Sequence, residues 1–153
     1  MPPGRAKPAV AISSSQKAVR VPRKRTAELI DFVARREGVR LAEVDLAVVS
    51  AGEIASLNRR YLSHAGPTDV LSFDMSQAGR GGISAQIVIC GDLAASQAAA
   101  RGLPPQRELM LYVVHGLLHL MGYEDSSIRG RAKMHAREEE MLDEFLGRKK
   151  RRR

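Results

Sequence analysis

Two histidines four residues apart, His115 and His119, are the first residues in this chain whose types and spacing could do chemistry. They sit in the apolar run 109–121, which reads as a helix beginning at Pro105. Four residues is about one helical turn, so both imidazoles lie on one face and can reach a single metal ion. Alone, the pair is a weak signal, because histidines at this spacing occur more often without a metal. Two further residues strengthen it. Gly122 stands three beyond His119, where a helix can end in the left-handed conformation that glycine tolerates, and Asp125 follows ten after His115. Two imidazoles and one carboxylate suit Zn²⁺ and leave a fourth position for water, the catalytic rather than the structural pattern.

The spacing His-x3-His-x2-Gly-x2-ligand is the one by which metzincin-type zinc sites gather their third ligand. The peptidase version places Glu beside the first histidine as general base. Gly116 stands there instead, so a zinc peptidase is a poor fit. His64 and His135 are the other candidates for a third ligand. His64 falls in a loop, and His135 among charged helical residues reads as solvated.

The elements that must position these residues can be read from periodicity and breakers. Residues 9–12 suggest a short strand, and 22–38 a helix with Leu29, Ile30, Phe32 and Val33 at helical spacing, ending near Gly38. Residues 44–49 read as a strand, followed by a helix carrying Ile54, Leu57 and Tyr61. Strands at 70–73 and 83–89 flank the glycine-rich loop 78–82 and should pair. Helices follow at 93–101, 105–121 and 127–146. The order implies an α+β fold: a small mixed sheet of about four strands packed with about five helices, the metal-bearing helix followed by a tight glycine turn. The organisation expected is a flexible lead-in 1–8, a single domain 9–147 and a basic tail 148–153.

The net charge of +8 is unevenly spread. Residues 1–25 hold seven Lys or Arg and no acid, and 148–153 hold six, whereas 26–147 carry 12 bases against 17 acids. The ends would attract phosphate polyanions, and a merely solvated end accounts for them as well. The lone Cys90 beside Ile87, Val88 and Ile89 reads as a buried hydrophobe. No apolar run is long enough for a membrane span or a secretory signal, so the expectation is a cytoplasmic protein.

The segment His115-Gly116-Leu117-Leu118-His119-Leu120-Met121-Gly122-Tyr123-Glu124-Asp125 resembles the signature of the YbeY family, H-G-x-L-H-L-x-G-Y-D-H. Leu57-Asn58-Arg59-Arg60-Tyr61 and Pro67-Thr68-Asp69-Val70-Leu71-Ser72-Phe73 are similar to the family's L-N-x-x-Y-R and K-P-T-D-V-L-S-F segments, in the right order and spacing. Glu138-Glu139-Glu140-Met141-Leu142 resembles its C-terminal helix. The likeness covers roughly residues 25–146.

What the resemblance implies is a zinc-dependent, single-strand-specific endoribonuclease in ribosomal-RNA maturation, at the 3′ end of the small-subunit RNA, and in ribosome quality control. Carried over by position, His115, His119 and Asp125 would hold one Zn²⁺ per chain. The expected partners are ribosomal and single-stranded RNA, with a ribosomal protein or an assembly GTPase, and no membrane. The chain departs from the family at several points. Asp125 replaces the third histidine, Leu62 the arginine after Tyr, Gly66 the lysine before Pro-Thr, and Ala85-Gln86 the Gly-Asp before the Ile-Val-Ile strand. An anionic ligand lowers the site's positive charge and weakens the Lewis acid, so reduced activity is expected. Arg59, three residues before Leu62, is the candidate substitute for the missing arginine. Arg60, His64, Arg148, Lys149 and Lys150 join it as candidate RNA contacts, and Tyr123 could stack on a base or cap the helix. A non-catalytic ribosome-assembly factor binding pre-ribosomal RNA and a ribosomal protein is the alternative.

Overall fold

The computed structural model describes residues 6–62, 68–79 and 81–151. The elements run β1 (Ala9–Ser14), α1 (Arg23–Glu37), β2 (Leu41–Val49), α2 (Ala51–Leu62), β3 (Val70–Asp74), β4 (Ile83–Cys90), α3 (Gly91–Arg101), α4 (Pro105–Leu120) and α5 (Ile128–Arg151). These are the strands and helices the periodicity predicts, in an α+β fold. The sheet order is β1-β2-β4-β3. β1–β2 and β2–β4 are parallel, and β3 pairs antiparallel with β4, Ser72 opposite Ile87, so the sheet is mixed.

Alternation along the strands divides the core in two. Val44, Leu46, Val48, Ala85, Ile87 and Ile89 face the large core built with α1, α4 and α5. Val49, Leu71, Val88 and Cys90 face the other way, onto Ile54 and Leu57 of α2. Helices therefore cover both faces of the sheet. The near-continuous apolar run of β4 is the reason, since a strand buried on both sides has no polar face to show.

α4 is the centre of the large core. Leu109, Val113, Val114, Leu117 and Leu118 are completely buried, and each such side chain contributes about 1.5–3 kcal/mol. At Gly116 the helix presses directly on the sheet: a Cβ there would lie 2.9 Å from Ser72 Oγ, 3.1 Å from Ile87 Cγ2 and 3.2 Å from Val70 Cγ1. Ser72 Oγ also donates to the Gly116 carbonyl at 3.3 Å. The position that holds a general base in zinc peptidases is here a contact face with no room for a side chain.

α5 packs back on α4 through Met134, Met141, Leu142 and Phe145. Ion pairs fix its register: Arg107 of α4 with Glu139 and Asp143, Arg36 of α1 with Glu144, and Glu37 of α1 with Arg137. The helix expected to end at Leu146 runs on to Arg151. Lys and Arg are good helix formers and suit the negative end of the helix dipole.

Candidate functional site

α4 ends in a Schellman turn. Tyr123 N–H donates to the Leu118 carbonyl at 3.1 Å and Gly122 N–H to that of His119 at 3.3 Å, with Gly122 at φ 104°. The left-handed glycine read from the sequence is thus present. Tyr123 serves this turn through its backbone and does not line the main cleft.

The next residues form a second tight turn. Glu124 accepts hydrogen bonds from the Ser126 amide at 3.0 Å, from Ser127 Oγ at 2.9 Å and from Ser126 Oγ. These donors hold its carboxyl below the usual range. Ser127 Oγ in turn accepts from Gly130 N–H at 2.9 Å, capping α5. Gly130 is required for this closeness, since a Cβ there would stand 2.2 Å from Glu124 Oε1 and 2.5 Å from the Glu124 carbonyl oxygen. Asp125 is held in the middle of the turn and faces α4.

His115 is gripped from two sides. Its Nδ1 lies 2.8 Å from Glu138 Oε1 and its Nε2 lies 3.8 Å from Asp125 Oδ2. A carboxylate only accepts, so Nδ1 carries the proton and donates to Glu138, leaving Nε2 directed at Asp125. Burial pulls the His115 imidazole down, but the hydrogen bond and charge of Glu138, with Asp69 and Asp125, outweigh it and raise the pKa above its ordinary value. Two ligands of one tetrahedral zinc, each about 2.1 Å from it, stand about 3.4 Å apart. The 3.8 Å between His115 and Asp125 is too long for a hydrogen bond and close to that spacing. His119, one turn further along α4, is exposed, and among the described residues no three His, Cys, Asp or Glu side chains are gathered into a metal-holding group. The donors present fit one zinc-type ion in kind, and two of them fit in place.

His115 and Asp125 open onto a cleft of about 600 Å³ between α3, α4 and α5. Asp69, Arg101, Glu108, Arg131, His135 and Glu138 also line it. His135, read as merely solvated, thus reaches the cleft, and His119 does not. Asp69 lines the cleft and also frames β3: its carboxylate accepts from Val70 N–H at 2.8 Å and its carbonyl from Cys90 N–H at 2.9 Å. Arg59 and Arg60 are exposed on α2 and are not among the cleft's lining residues; its arginines are Arg101 and Arg131. His64 lies outside the described residues, as do the side chains of Arg148, Lys149 and Lys150.

Glu138 is a candidate site residue that the sequence did not single out. It interrupts an otherwise apolar stripe, Met134, Met141, Leu142 and Phe145, at helical spacing. A carboxylate in such a stripe needs a buried partner, and that was the signal available.

Fold and site together define a small α+β protein with a histidine–carboxylate cleft of the kind hydrolases use. The family model described as Endoribonuclease YbeY matches residues 11–146. A Nocardioides endoribonuclease YbeY is 37% identical over 128 residues, covering 78% of this chain and 86% of the relative. The Bacillus subtilis endoribonuclease YbeY is 34% identical over 133 residues, covering 80% and 85%. A Thermotoga maritima protein solved in solution shares the fold at TM-score 0.62 and 23% identity, over 94% of this chain and 93% of that one. The chain belongs to the YbeY endoribonuclease family.

Proposed function

We propose that this chain is a zinc-dependent endoribonuclease that cuts single-stranded RNA in ribosomal-RNA maturation, at the 3′ end of the small-subunit RNA, and in ribosome quality control. The observation that carries the reading is the doubly held His115, with Nδ1 on Glu138 and Nε2 opposite Asp125 in an open cleft. His115, His119 and Asp125 would hold the ion. At this place zinc supplies Lewis acidity toward a phosphodiester oxygen and activation of water.

The charge of the cleft supports the need for a cation. Asp69, Glu108, Asp125 and Glu138 outnumber Arg101 and Arg131, so a polyanion entering the cleft meets net negative charge unless a metal is held there. Glu138 fixes the His115 ring and its tautomer. Arg131, at the cleft and 3.5 Å from the Asp125 carbonyl, is placed to steady negative charge on a bound phosphate, and Arg59 and Arg60, outside the cleft, are candidates for RNA contacts beyond it. Among the described residues, no helix is long and apolar enough to cross a membrane.

The second reading, an assembly factor that binds pre-ribosomal RNA and a ribosomal protein without cutting, is favoured by one observation: only two of the three donors face each other. Labelled single-stranded and double-stranded RNAs of the same sequence separate the two. Cleavage of the single strand alone, lost in His115→Ala, supports the nuclease; RNA binding without cleavage by the zinc-loaded protein supports the assembly factor.

A further inference from the structure

We propose that the end of the cleft away from His115 is a base-reading subsite in which the buried Glu108 carboxylate, beside Arg101, accepts hydrogen bonds from the Watson–Crick edge of guanine. It rests on the reading of RNA as the substrate, and makes Glu108 a specificity-determining residue for that RNA.

Glu108 stands on the same stripe of α4 as Tyr112 and His115. Seven residues separate it from His115, about 10.5 Å along the axis, a distance that a nucleotide spans between its phosphate and the far edge of its base. Its side chain is 2% exposed, yet Oε1 has no hydrogen-bond donor. Arg101 Nη1 lies 3.5 Å away on a side chain that is 47% exposed, which supplies opposite charge at the mouth without a hydrogen bond. A buried carboxylate oxygen left without a donor is costly and uncommon in folded proteins, and here it lines a cavity. The requirement is for a ligand that brings donors.

The chemistry around Glu108 selects among ligands. Burial and the charge of the adjacent Glu108 carboxylate, to which the phenol donates a hydrogen bond, push the Tyr112 phenol up, so Tyr112 stays a neutral aromatic wall against which a base can lie, and Oε1 is the carboxylate oxygen left for a ligand. Guanine presents two adjacent donors, N1–H and N2–H, for a carboxylate, and beside them the O6 acceptor. Arg101, beside the carboxylate at the mouth, is the donor available to O6. Uracil presents one donor flanked by two carbonyl oxygens, which a carboxylate repels. Cytosine and adenine each offer a single amine with a ring acceptor beside it. The pairing of acceptor and cation in the cleft matches guanine alone on both counts.

The test uses the zinc-loaded full chain and two labelled oligoribonucleotides, one all uridine and one with a single guanosine, read by anisotropy for binding and by gel for cleavage. Wild type should bind the guanosine oligomer about tenfold more tightly, the discrimination expected of a good bidentate contact to a base. Glu108→Gln should bring the two affinities within about twofold of each other, as a neutral amide no longer matches the donor pair. Arg101→Ala, a change at an exposed position, should also reduce the preference, so the proposal stays testable if the Glu108 variant does not fold. Equal binding of both oligomers by wild type overturns the subsite, as does an undiminished preference in Arg101→Ala. Guanosine preference without cleavage defeats the nuclease reading alone, and cleavage without preference defeats the subsite alone.

Discussion

Substituting Glu138 examines the grip on His115 directly. The side chain is 8% exposed, and its Oε1 lies 2.8 Å from His115 Nδ1. Glu138→Gln keeps an amide oxygen able to accept from Nδ1–H and removes only the charge, whereas Glu138→Ala leaves that N–H without its acceptor. A hydrogen bond to a charged group contributes about 1.5–3 kcal/mol. Partners behind metal-bound histidines typically alter metal affinity by about 10–100-fold. The graded expectation is zinc binding weaker by about tenfold in Glu138→Gln and by about 100-fold in Glu138→Ala. Competition with a chelating dye at fixed pH measures both, with unfolding of the zinc-free proteins run alongside to show that each variant is folded. Zinc affinities within about twofold of wild type in both folded variants would refute the argument that Glu138 orients the ligand.

Three other outcomes follow from the same geometry. Gly116→Ala should destabilise the fold by about 1–3 kcal/mol, because its Cβ would press on Ser72, Ile87 and Val70; at about 2–4 °C per kcal/mol, a Tm equal to or above that of wild type contradicts this. His115 has a raised folded-state pKa, so in the zinc-free protein its contribution to stability is present below the unfolded value of 6.5 and lost as pH rises through the folded value. Zinc competes with that proton, and its affinity and the Tm increment it gives should grow with pH across the same window; calorimetric scans showing no such growth would exclude proton competition at His115. His119→Ala should lower zinc affinity by more than His135→Ala does, and the reverse ranking by dye competition would move the third ligand to α5.

The sequence was legible where structure is local. The 3.6-residue and two-residue periods place all nine elements of the described residues, and Gly122 announces the Schellman turn because only its own neighbours take part in it. What periodicity does not carry is contact between distant segments. Glu138 meets His115 across 23 residues, and Arg101, Arg131 and His135 reach the cleft only because α3 and α5 fold onto α4. Arg59 illustrates the converse. Its place near Leu62 in sequence suggested the site, yet α2 packs on β4 from the opposite face of the sheet, and Arg59 is absent from the cleft lining. Gly116 read as a missing catalytic base, and the reason for it, a helix seated against β3 and β4, needed the sheet register to be seen.

The central claim is that the His115 site holds a zinc ion and that this ion is needed to cut RNA. Metal analysis and single-stranded RNA cleavage on the same preparations of wild type and His115→Ala test it most directly. The account predicts about one zinc per wild-type chain together with cleavage, and the loss of both in the variant. Wild type that retains its zinc yet cleaves no faster than His115→Ala, or that cleaves undiminished once its metal is stripped, would contradict it.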